Sequence, residues 1–446
     1  MRGSGGGTTK LPRNPRAPSF GGKRIAGSAR AASGQRASGG ALRRDAACGT
    51  VIGAMQVVYV SPNGIGTALV RSQVLPYLRG LAERGFEFDL VTFEHPDDPP
   101  YLEGTFARPR WHALRARPGG GLAAKVMDLT RGAADVLAVS VHRRADLIHA
   151  RSYLPAAIAW AVTRLTRRPY VFDMRGFLGD EYVEGRHWDA RDLRYRALRV
   201  GERLLLQAAG GIVVLTEAAA ERLRSDPRYA PFAGRKPVTV TPCAVDLERF
   251  RPATGRASPP TVVYSGSLGM SYALDAMLRL YAAARASVPG LRFLILNRKD
   301  HALIAAAVAR HGLADADIVV RATAFDEVPA LLGTAHVGLC LLDQVSSKEA
   351  SSPIKVGEYL ACGLPVIVNR GIGDVADEVR AFGAGLVLEA YADDDLQRGA
   401  SALVVLLGDE RARANARRLA EERYGIPAAV ERYAALYARV LAERRS

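Results

Sequence analysis

The residues of this chain that are best placed for chemistry lie in one stretch, which reads S-S-P-I-K-V-G-E-Y-L-A-C-G-L-P-V from Ser351 to Val366. Ser351 and Ser352 form a loop that ends at a helix start, because serine side chains cap helices and Pro353 suits the first helical position. A loop that feeds a helix N-terminus presents free N–H groups and the positive end of the helix dipole. The pattern therefore predicts an anion site at these two serines.

Glu358 lies one and a half turns inside the predicted helix, whose other residues are mostly apolar or small. The helix is predicted to end at Gly363, and Pro365 prevents it from resuming. A carboxylate in this setting could accept hydrogen bonds from the paired hydroxyls of a sugar, as the acidic residue of dinucleotide-binding folds does. The alternative is a structural Glu358 that is satisfied by neighbouring backbone or by Lys355. Spacing alone leaves both interpretations open.

A second candidate site is the loop of Ser265, Gly266 and Ser267, which follows the first predicted strand of the C-terminal half. Backbone amides in such a loop could hold a diphosphate. Arg298 and Lys299 follow the next predicted strand and could neutralise the charge of that group. An ordinary surface role for these two basic residues is the alternative.

Polar residues also follow two predicted strands of the N-terminal half. His149 and Arg151 would point to the same side if their strand continues, and Asp173 ends the next strand. Ligands of open α/β sheets bind beyond the carboxyl ends of the strands, so these residues are candidates for a reaction centre. Each has a structural alternative, since a histidine at a strand end is more often structural and Asp173 could pair with Arg175 to hold its loop.

The elements that must position these residues alternate between strand and helix. Residues 55–60 predict a first strand, the loop with Gly64 and Gly66 follows, and an amphipathic helix then ends at Gly85. This βαβ order predicts a parallel sheet with right-handed crossovers. A lone glycine loop is weak evidence for a phosphate cradle, but it makes Gly64 and Gly66 candidates for one.

Length and composition predict two domains. A chain of 446 residues is too long for one core, and its 48% hydrophobic content is globular. We place an N-terminal Rossmann-like domain at 55–250 and a C-terminal one at 251–425, because the segment 251–260 is rich in Pro, Ser and Gly. Residues 426–446 read as an amphipathic helix.

The first 54 residues form a basic tail without periodicity, which predicts disorder. They hold ten Lys or Arg residues and one acid, so +9 of the net charge of +16 lies there and +7 remains for the folded part. The tail lacks the apolar segment of a secretory signal. An organelle transit peptide would fit its composition, but the simpler interpretation is that Met55 is the true start.

Several classes of protein are disfavoured by composition. No apolar run approaches the roughly 20 residues of a membrane span. The four cysteines are scattered, and no Cys-x-x-Cys spacing supports zinc. Three of them lie beside apolar runs and are predicted to be buried free thiols, which favours a reducing cytosol. Nothing resembles a nucleic-acid-binding module, and the remaining basic charge could attract an anionic membrane surface.

The run E-Y-L-A-C-G-L-P-V at 358–366 resembles the nucleotide-sugar site of the retaining glycosyltransferases of family 4, which have the GT-B fold. The segment 242–250, P-C-A-V-D-L-E-R-F, resembles the linker motif P-N-G-V-D-x-x-x-F of that family, with Cys and Ala in place of Asn and Gly. The resemblance covers roughly residues 55–440. It implies an α/β protein whose two Rossmann-like domains face each other across a cleft, with a C-terminal helix that crosses back. It also implies that Glu358 binds the ribose hydroxyls of a UDP- or GDP-sugar.

The chain departs from the family at the sugar contact. Many members carry a second glutamate eight positions before the first, and this position is Ala350 here, with Glu349 beside it. Either Glu349 or the backbone of Ser351 and Ser352 would then contact the donor sugar.

A further departure concerns the phosphates. The family places an Arg in the glycine loop and a Lys just beyond it, whereas Ser267 fills the first position and Tyr272 or its neighbour the second. Departure of the diphosphate develops charge that must be stabilised. We therefore expect Arg298, Lys299 or Lys355 to take the place of the missing pair.

The resemblance also bears on the first domain. Family members often show His-x-His where this chain has His149 and Arg151, and the second histidine lies near the transferred sugar. Arg151 occupies that second position, and together with Asp173 these residues are expected to line the reaction centre. The loop with Gly64 and Gly66 is expected at the interdomain cleft.

The resemblance implies a glycosyltransferase of the hexosyltransferase type. The sequence shows no constellation of metal ligands and no Asp-x-Asp motif placed after a predicted strand, so we expect the enzyme to be metal-independent. It would use no cofactor beyond the nucleotide-sugar, which is a substrate, and would transfer the sugar to a hydroxyl acceptor in cell-surface polysaccharide or glycolipid synthesis. A lipid-linked acceptor would place the protein in the cytoplasm, peripherally on the inner membrane face. Two alternatives stay open: a GT-B nucleotide-sugar epimerase, and an inactive nucleotide-sugar-binding protein.

Overall fold

The computed structural model describes residues 55–100, 109–117, 121–269 and 271–445. The predicted disorder of residues 1–54 therefore concerns a segment outside the described residues. The described chain forms two parallel sheets, one of 7 strands and one of 6 strands. Each sheet is covered by helices, which matches the predicted pair of Rossmann-like domains.

The first sheet is built from β1 (Met55–Ser61), β2 (Phe86–Glu94), β3 (Arg110–Arg115), β4 (Leu147–Arg151), β5 (Tyr170–Asp173), β6 (Gly211–Val214) and β7 (Val238–Val240). Its strand order is β3-β2-β1-β4-β5-β6-β7. The chain runs from β1 to one edge and then returns to build the other, so the order reverses between β1 and β4. Ligands of such sheets bind at the carboxyl ends of the strands near this reversal.

The helices of this domain are α1 (Ala68–Gln73), α2 (Leu75–Ala82), α3 (Leu122–His142), α4 (Tyr153–Thr166), α5 (Leu178–Glu184), α6 (Leu193–Ala208), α7 (Glu217–Ser225) and α8 (Ala230–Ala233). Strands β4, β5 and β6 are buried along their whole length. Continuous burial explains why their sequences read as apolar runs rather than alternating ones.

The second sheet is built from β8 (Thr261–Ser265), β9 (Arg292–Leu296), β10 (Ile318–Arg321), β11 (Val337–Cys340), β12 (Val366–Asn369) and β13 (Gly385–Leu388). Its order is β10-β9-β8-β11-β12-β13, so the reversal lies between β8 and β11. Its helices are α9 (Leu274–Arg285), α10 (His301–Arg310), α11 (Val328–Thr334), α12 (Ile354–Ala361), α13 (Val375–Phe382), α14 (Asp393–Leu406) and α15 (Glu410–Leu419).

The last helix, α16 (Ile426–Arg445), returns to the first domain and packs on α2, β6 and β7. The predicted apolar stripe is buried there: Val430, Tyr433, Leu436 and Val440. Two glycines allow the close approach, because a Cβ at Gly80 would lie 2.7 Å from Val430 and one at Gly211 would lie 2.8 Å from Val440. The predicted crossing helix is thereby confirmed.

No helix in the described part of the chain is long and apolar enough to cross a membrane.

Candidate functional site

A cavity of about 380 Å³ lies between the two domains. Helix α1 forms its wall on the side of the first domain. On the side of the second domain it is lined by the loops that follow β8 and β9 and by the first turns of α12. Seven residues predicted at the site line it: Ser265, Gly266, Ser267, Arg298, Lys299, Lys355 and Glu358.

Glu358 is the carboxylate of this cavity. It is only 8% exposed, and within the described residues its side-chain oxygens have no hydrogen-bond partner. Burial raises the pKa of Glu358 to about 7, although the positive charges of Lys355 and Arg249 oppose the shift. A buried carboxylate with open acceptor sites is suited to neighbouring hydroxyl groups, which would replace the lost water.

Lys355 lies one turn before Glu358 and is held by two tyrosines. Its Nζ donates to the hydroxyl of Tyr264 at 2.8 Å and lies 3.5 Å from the ring centroid of Tyr272. Burial lowers the pKa of Lys355 to about 8. A Cβ at Gly266 would lie 3.2 Å from this Nζ, so the absence of a side chain lets the loop pass close to the ammonium group. Tyr272 stands near the position where the family has a lysine, and its ring contacts Lys355, a lysine that comes from α12.

The glycine loop uses two of its own amides. The N–H of Ser265 donates to the hydroxyl of Tyr359 at 2.7 Å, and the N–H of Gly266 donates to the carbonyl of Leu296 at 2.8 Å. The N–H of Ser267 has no partner among the described residues. Ser265 and Gly266 therefore shape the loop, and Ser267 keeps the amide that is open to a ligand.

Arg298 and Lys299 are exposed at the rim of the cavity. The preceding Asn297 is buried and orders their turn, because its Oδ1 accepts hydrogen bonds from the N–H groups of Lys299 at 3.0 Å and of Asp300 at 2.7 Å. Its amide nitrogen also donates to the carbonyl of Gly266 at 3.1 Å. The turn thereby places two cations beside the glycine loop.

The structure brings His149 and Asp173 together, but away from the cavity wall. His149 is fully buried and stacks on Tyr59 with ring centroids 4.3 Å apart. Its Nδ1 lies 2.8 Å from the hydroxyl of Tyr437 on α16, and its Nε2 lies 3.4 Å from Asp173. Burial lowers the pKa of His149, while Asp173 opposes the shift.

Asp173 is the acidic centre of this buried cluster. Burial alone would raise its pKa, but Arg175, His149 and Arg151 lower it below its usual range. Arg175 pairs with Asp173 at 3.2 Å. Arg151 is 5% exposed and donates to Gln73, so it reaches the cavity through that side chain.

The remaining predicted residues do not line the cavity. Ser352 accepts a hydrogen bond from the N–H of Cys243 at 3.1 Å, and the N–H of Ser351 donates to the carbonyl of Lys348 at 2.9 Å. The loop of Gly64 and Gly66 packs under the segment 94–100.

Sequence reasoning missed Gln73, which lines the cavity from α1. A pattern in the sequence could have indicated it, because Gln73 is the polar member of one buried helical face. The other members of that face are Val70, Val74, Tyr77 and Leu78. A polar residue on an apolar stripe requires a partner or a ligand.

Sequence reasoning also missed Phe325, which joins the two domains at the cavity. The guanidinium of Arg71 on α1 lies 4.5 Å from its ring centroid, and that of Arg249 lies 3.9 Å from it. Both arginines also pair with Asp326, at 3.1 and 3.0 Å. No local pattern links residues so distant in sequence.

Among the described residues there is no group of three or more His, Cys, Asp or Glu that could hold a metal ion.

Comparisons with known proteins agree with this architecture. A family model for the glycosyl transferase 4-like domain matches residues 70–244, and a model for glycosyl transferases group 1 matches residues 247–423. The D-inositol 3-phosphate glycosyltransferase of Kineococcus radiotolerans is 28% identical over 183 residues, which span 40% of this chain and 41% of that protein. The match thus covers less than half of this curated relative.

Solved structures resemble the chain over most of its length. The sucrose-phosphate synthase of Thermosynechococcus elongatus has a TM-score of 0.69 at 18% identity, covering 87% of this chain and 100% of that one. HepE of Anabaena, solved with UDP and glucose, has a TM-score of 0.62 at 14% identity, covering 85% of this chain and 98% of that one. With the two family models matched in tandem, the chain belongs to the glycosyltransferases of the family 4 type, which have the GT-B fold.

Proposed function

We propose that the protein is a retaining glycosyltransferase that transfers a hexose from a UDP- or GDP-sugar to a hydroxyl acceptor. The observation that carries this proposal is Glu358, a buried carboxylate that has no hydrogen-bond partner among the described residues and lines the cavity together with the cations Arg298, Lys299 and Lys355. A nucleotide-sugar matches both halves of this surface, because its ribose offers paired hydroxyls and its diphosphate offers anionic oxygens.

Each part of the donor then has a place. Glu358 accepts from the ribose hydroxyls, as the acidic residue of a dinucleotide fold does. Lys355, Arg298, Lys299 and the N–H of Ser267 receive the diphosphate and stabilise its charge as it departs. Because the three cations supply positive charge directly, we propose that the reaction needs no metal ion and no further cofactor.

A UDP-sugar is the first donor to test, since the structure of HepE was solved with UDP and glucose. The full-length protein should be incubated with UDP-glucose, GDP-mannose and related donors, with and without a panel of hydroxyl acceptors. Release of nucleotide that depends on the acceptor, with the product keeping the anomeric configuration of the donor, supports the proposal. Conversion of the sugar without any acceptor would instead identify an epimerase. Binding of nucleotide with no turnover would identify a binding protein.

Replacing Lys355 by methionine should weaken the binding of UDP or GDP by roughly tenfold or more, because a charge-assisted contact to phosphate is removed. The lowered pKa of about 8 means that the wild-type ammonium is charged below this pH and neutral above it. Wild-type affinity should therefore fall between pH 7 and pH 9.

Calorimetric titration over this pH range checks the expectation. Lys355→Met should show no comparable fall, and Lys348→Met, which alters a lysine outside the cavity, should behave as the wild type. Equal affinity of wild type and Lys355→Met at pH 7 would refute the role of Lys355.

We further propose that the acceptor is lipid-linked and that the protein works at an anionic membrane surface. Helix α6 exposes three apolar side chains, Leu193, Val200 and Leu204, which are 79%, 55% and 44% exposed. Arg196 and Arg203 are exposed at positions of the same helical face. An apolar stripe flanked by arginines suits the interface of a bilayer with acidic lipids.

A triple variant with serine at Leu193, Val200 and Leu204 should bind phosphatidylglycerol vesicles roughly tenfold less tightly or worse, because apolar area can no longer be buried in lipid. Co-sedimentation with vesicles measures this. Leu303→Ser combined with Val405→Ser, two exposed apolar residues of the second domain, serves as the matched control. Equal binding by the triple variant and wild type would contradict the proposal, as would binding that is insensitive to salt.

A further inference from the structure

Gln73 is the last residue of α1 and forms part of the cavity wall. Its side chain is 8% exposed, although glutamine is a residue type that is seldom buried without partners. The role of Gln73 therefore depends on the contacts of its amide oxygen and its amide nitrogen.

The oxygen of Gln73 receives several donors. Arg151 donates to it at 3.0 Å and Arg175 at 2.9 Å, both through Nη2. The thiol of Cys243 lies 3.4 Å from the same oxygen. If the amide were reversed, its NH2 group would face two guanidinium groups that can only donate. The two arginines therefore determine the orientation of the amide.

The orientation leaves the nitrogen of Gln73 on the side of the cavity. Within the described part of the chain this Nε2 donates to no protein atom, and it is not enclosed by protein. It is an N–H donor that is held in place and has no acceptor among the residues that the structure describes.

The surroundings indicate which acceptor would suit this donor. Cys243, which contacts Gln73, donates its backbone N–H to Ser352 just before α12. Gln73 thus lies near the N-terminus of α12, where free N–H groups and the helix dipole favour an anion. Lys355, in the first turn of the same helix, adds a charge.

We propose that the amide nitrogen of Gln73 donates a hydrogen bond to a phosphate oxygen of the nucleotide-sugar, and that Arg151 and Arg175 hold it in this orientation. The inference rests on the proposed function, since it assigns a ligand group in the same cavity. Gln73 would thereby contribute a contact from the first domain to a donor that is otherwise held by the second. Arg151 and Arg175 would be positioning residues.

The test is Gln73→Glu, which keeps the shape of the side chain and keeps an oxygen for both arginines. The second carboxylate oxygen would replace the amide nitrogen, so a donor is lost and a negative charge faces the phosphate. In calorimetry at pH 7.5 we expect the variant to bind UDP and GDP at least tenfold more weakly than wild type. Binding of uridine and guanosine, which lack phosphate, should not change.

The thermal midpoint of the variant should equal or exceed that of wild type, because a carboxylate between two arginines is well compensated. Gln397→Glu makes the same change at an exposed position of the second domain and controls for net charge. UDP or GDP affinity equal to that of wild type would overturn the inference while leaving the proposed function intact. Loss of affinity only for sugar conjugates would also overturn it, by placing the contact on the sugar.

A second measurement is independent of the stability of the variant. The chain has only six glutamines, so selective ¹⁵N labelling gives a simple side-chain spectrum. One NH2 pair, absent in Gln73→Glu, should shift when UDP is added to the wild type. If wild type binds UDP and this pair does not move, the inference fails; if wild type binds no nucleotide, it is the proposed function that fails.

Discussion

Glu358→Gln is expected to weaken nucleotide binding about 100-fold and at the same time to stabilise the ligand-free protein at pH 8. Both effects have one cause, which is the burial of a carboxylate that has no hydrogen-bond partner in the part of the chain that the structure describes. A carboxylate accepts hydrogen bonds at both oxygens, whereas an amide offers one acceptor and places N–H groups where the ribose hydroxyls should donate. Loss of a pair of charge-assisted hydrogen bonds corresponds to a change of about this size.

The stability effect depends on pH in a defined direction. Burial raises the pKa of Glu358 from 4.5 to about 7, so the folded state holds this proton more tightly than the unfolded state does. The charged form therefore destabilises the fold: the penalty is absent below pH 4.5, grows as the pH rises and is complete above pH 7. One pKa unit corresponds to 1.36 kcal/mol, so the full penalty is about 3 kcal/mol. Glutamine, which carries no charge, avoids it.

Denaturant unfolding of wild type and Glu358→Gln at pH 5 and pH 8 measures this penalty. The variant should be more stable than wild type by about 3 kcal/mol at pH 8 and by much less at pH 5. Glu349→Gln, at an exposed carboxylate nearby, should leave stability unchanged at both values. A variant that gains no stability at pH 8, or that binds UDP as tightly as wild type, would show that Glu358 has a partner and serves the fold rather than the ligand.

The fold could be predicted from the sequence because its signals are local. Alternation of strand and helix patterns predicted both parallel sheets, and the spacing of apolar residues in 427–440 predicted that one face of the last helix is buried. The prediction that this helix crosses back onto the first domain came from the family resemblance and not from the spacing. No local pattern requires that Gly80 and Gly211 receive Val430 and Val440.

The residues of the site likewise separate into those that local patterns could predict and those that depend on contacts between distant positions. Local sequence patterns are informative within a single strand–loop–helix unit, and such units contain Glu358, Lys355 and the glycine loop. The hydrogen bond between Lys355 and Tyr264 could not be predicted in this way, because Tyr264 lies 91 positions away and the contact exists only in the folded chain. Arg298 and Lys299 were expected to replace the missing family pair, and the structure places both at the cavity.

His149 and Asp173 illustrate what sequence cannot decide. Their positions at the ends of parallel strands are suited to a reaction centre, but a strand end has two faces and a helix can cover either. Tyr437 of α16 contacts His149, and Tyr433 lies 3.4 Å from Asp173, so the crossing helix encloses this face. The choice between catalytic and structural roles therefore rests on contacts that span more than 250 residues.

Asp173→Asn is expected to destabilise the protein by about 3–5 kcal/mol, the usual effect of removing one partner of a buried ion pair. Asp173 is 1% exposed and is the carboxylate that balances Arg175 and Arg151. Its pKa is lowered in the fold, so its contribution is fully present above the ordinary value of 3.8 and is lost only as the pH falls below it. The difference between wild type and variant should thus be constant from pH 6 to pH 9.

Asp326→Asn is the matched control, since this aspartate also pairs with two arginines but its side chain is 69% exposed. Exposed pairs contribute about 0–1 kcal/mol, so this variant should unfold almost as wild type does. If Asp173 instead reacted with the substrate, Asp173→Asn would keep wild-type stability and lose only kcat. A large stability loss that is independent of pH would show that Asp173 stabilises the fold through its buried pairs with Arg175 and His149.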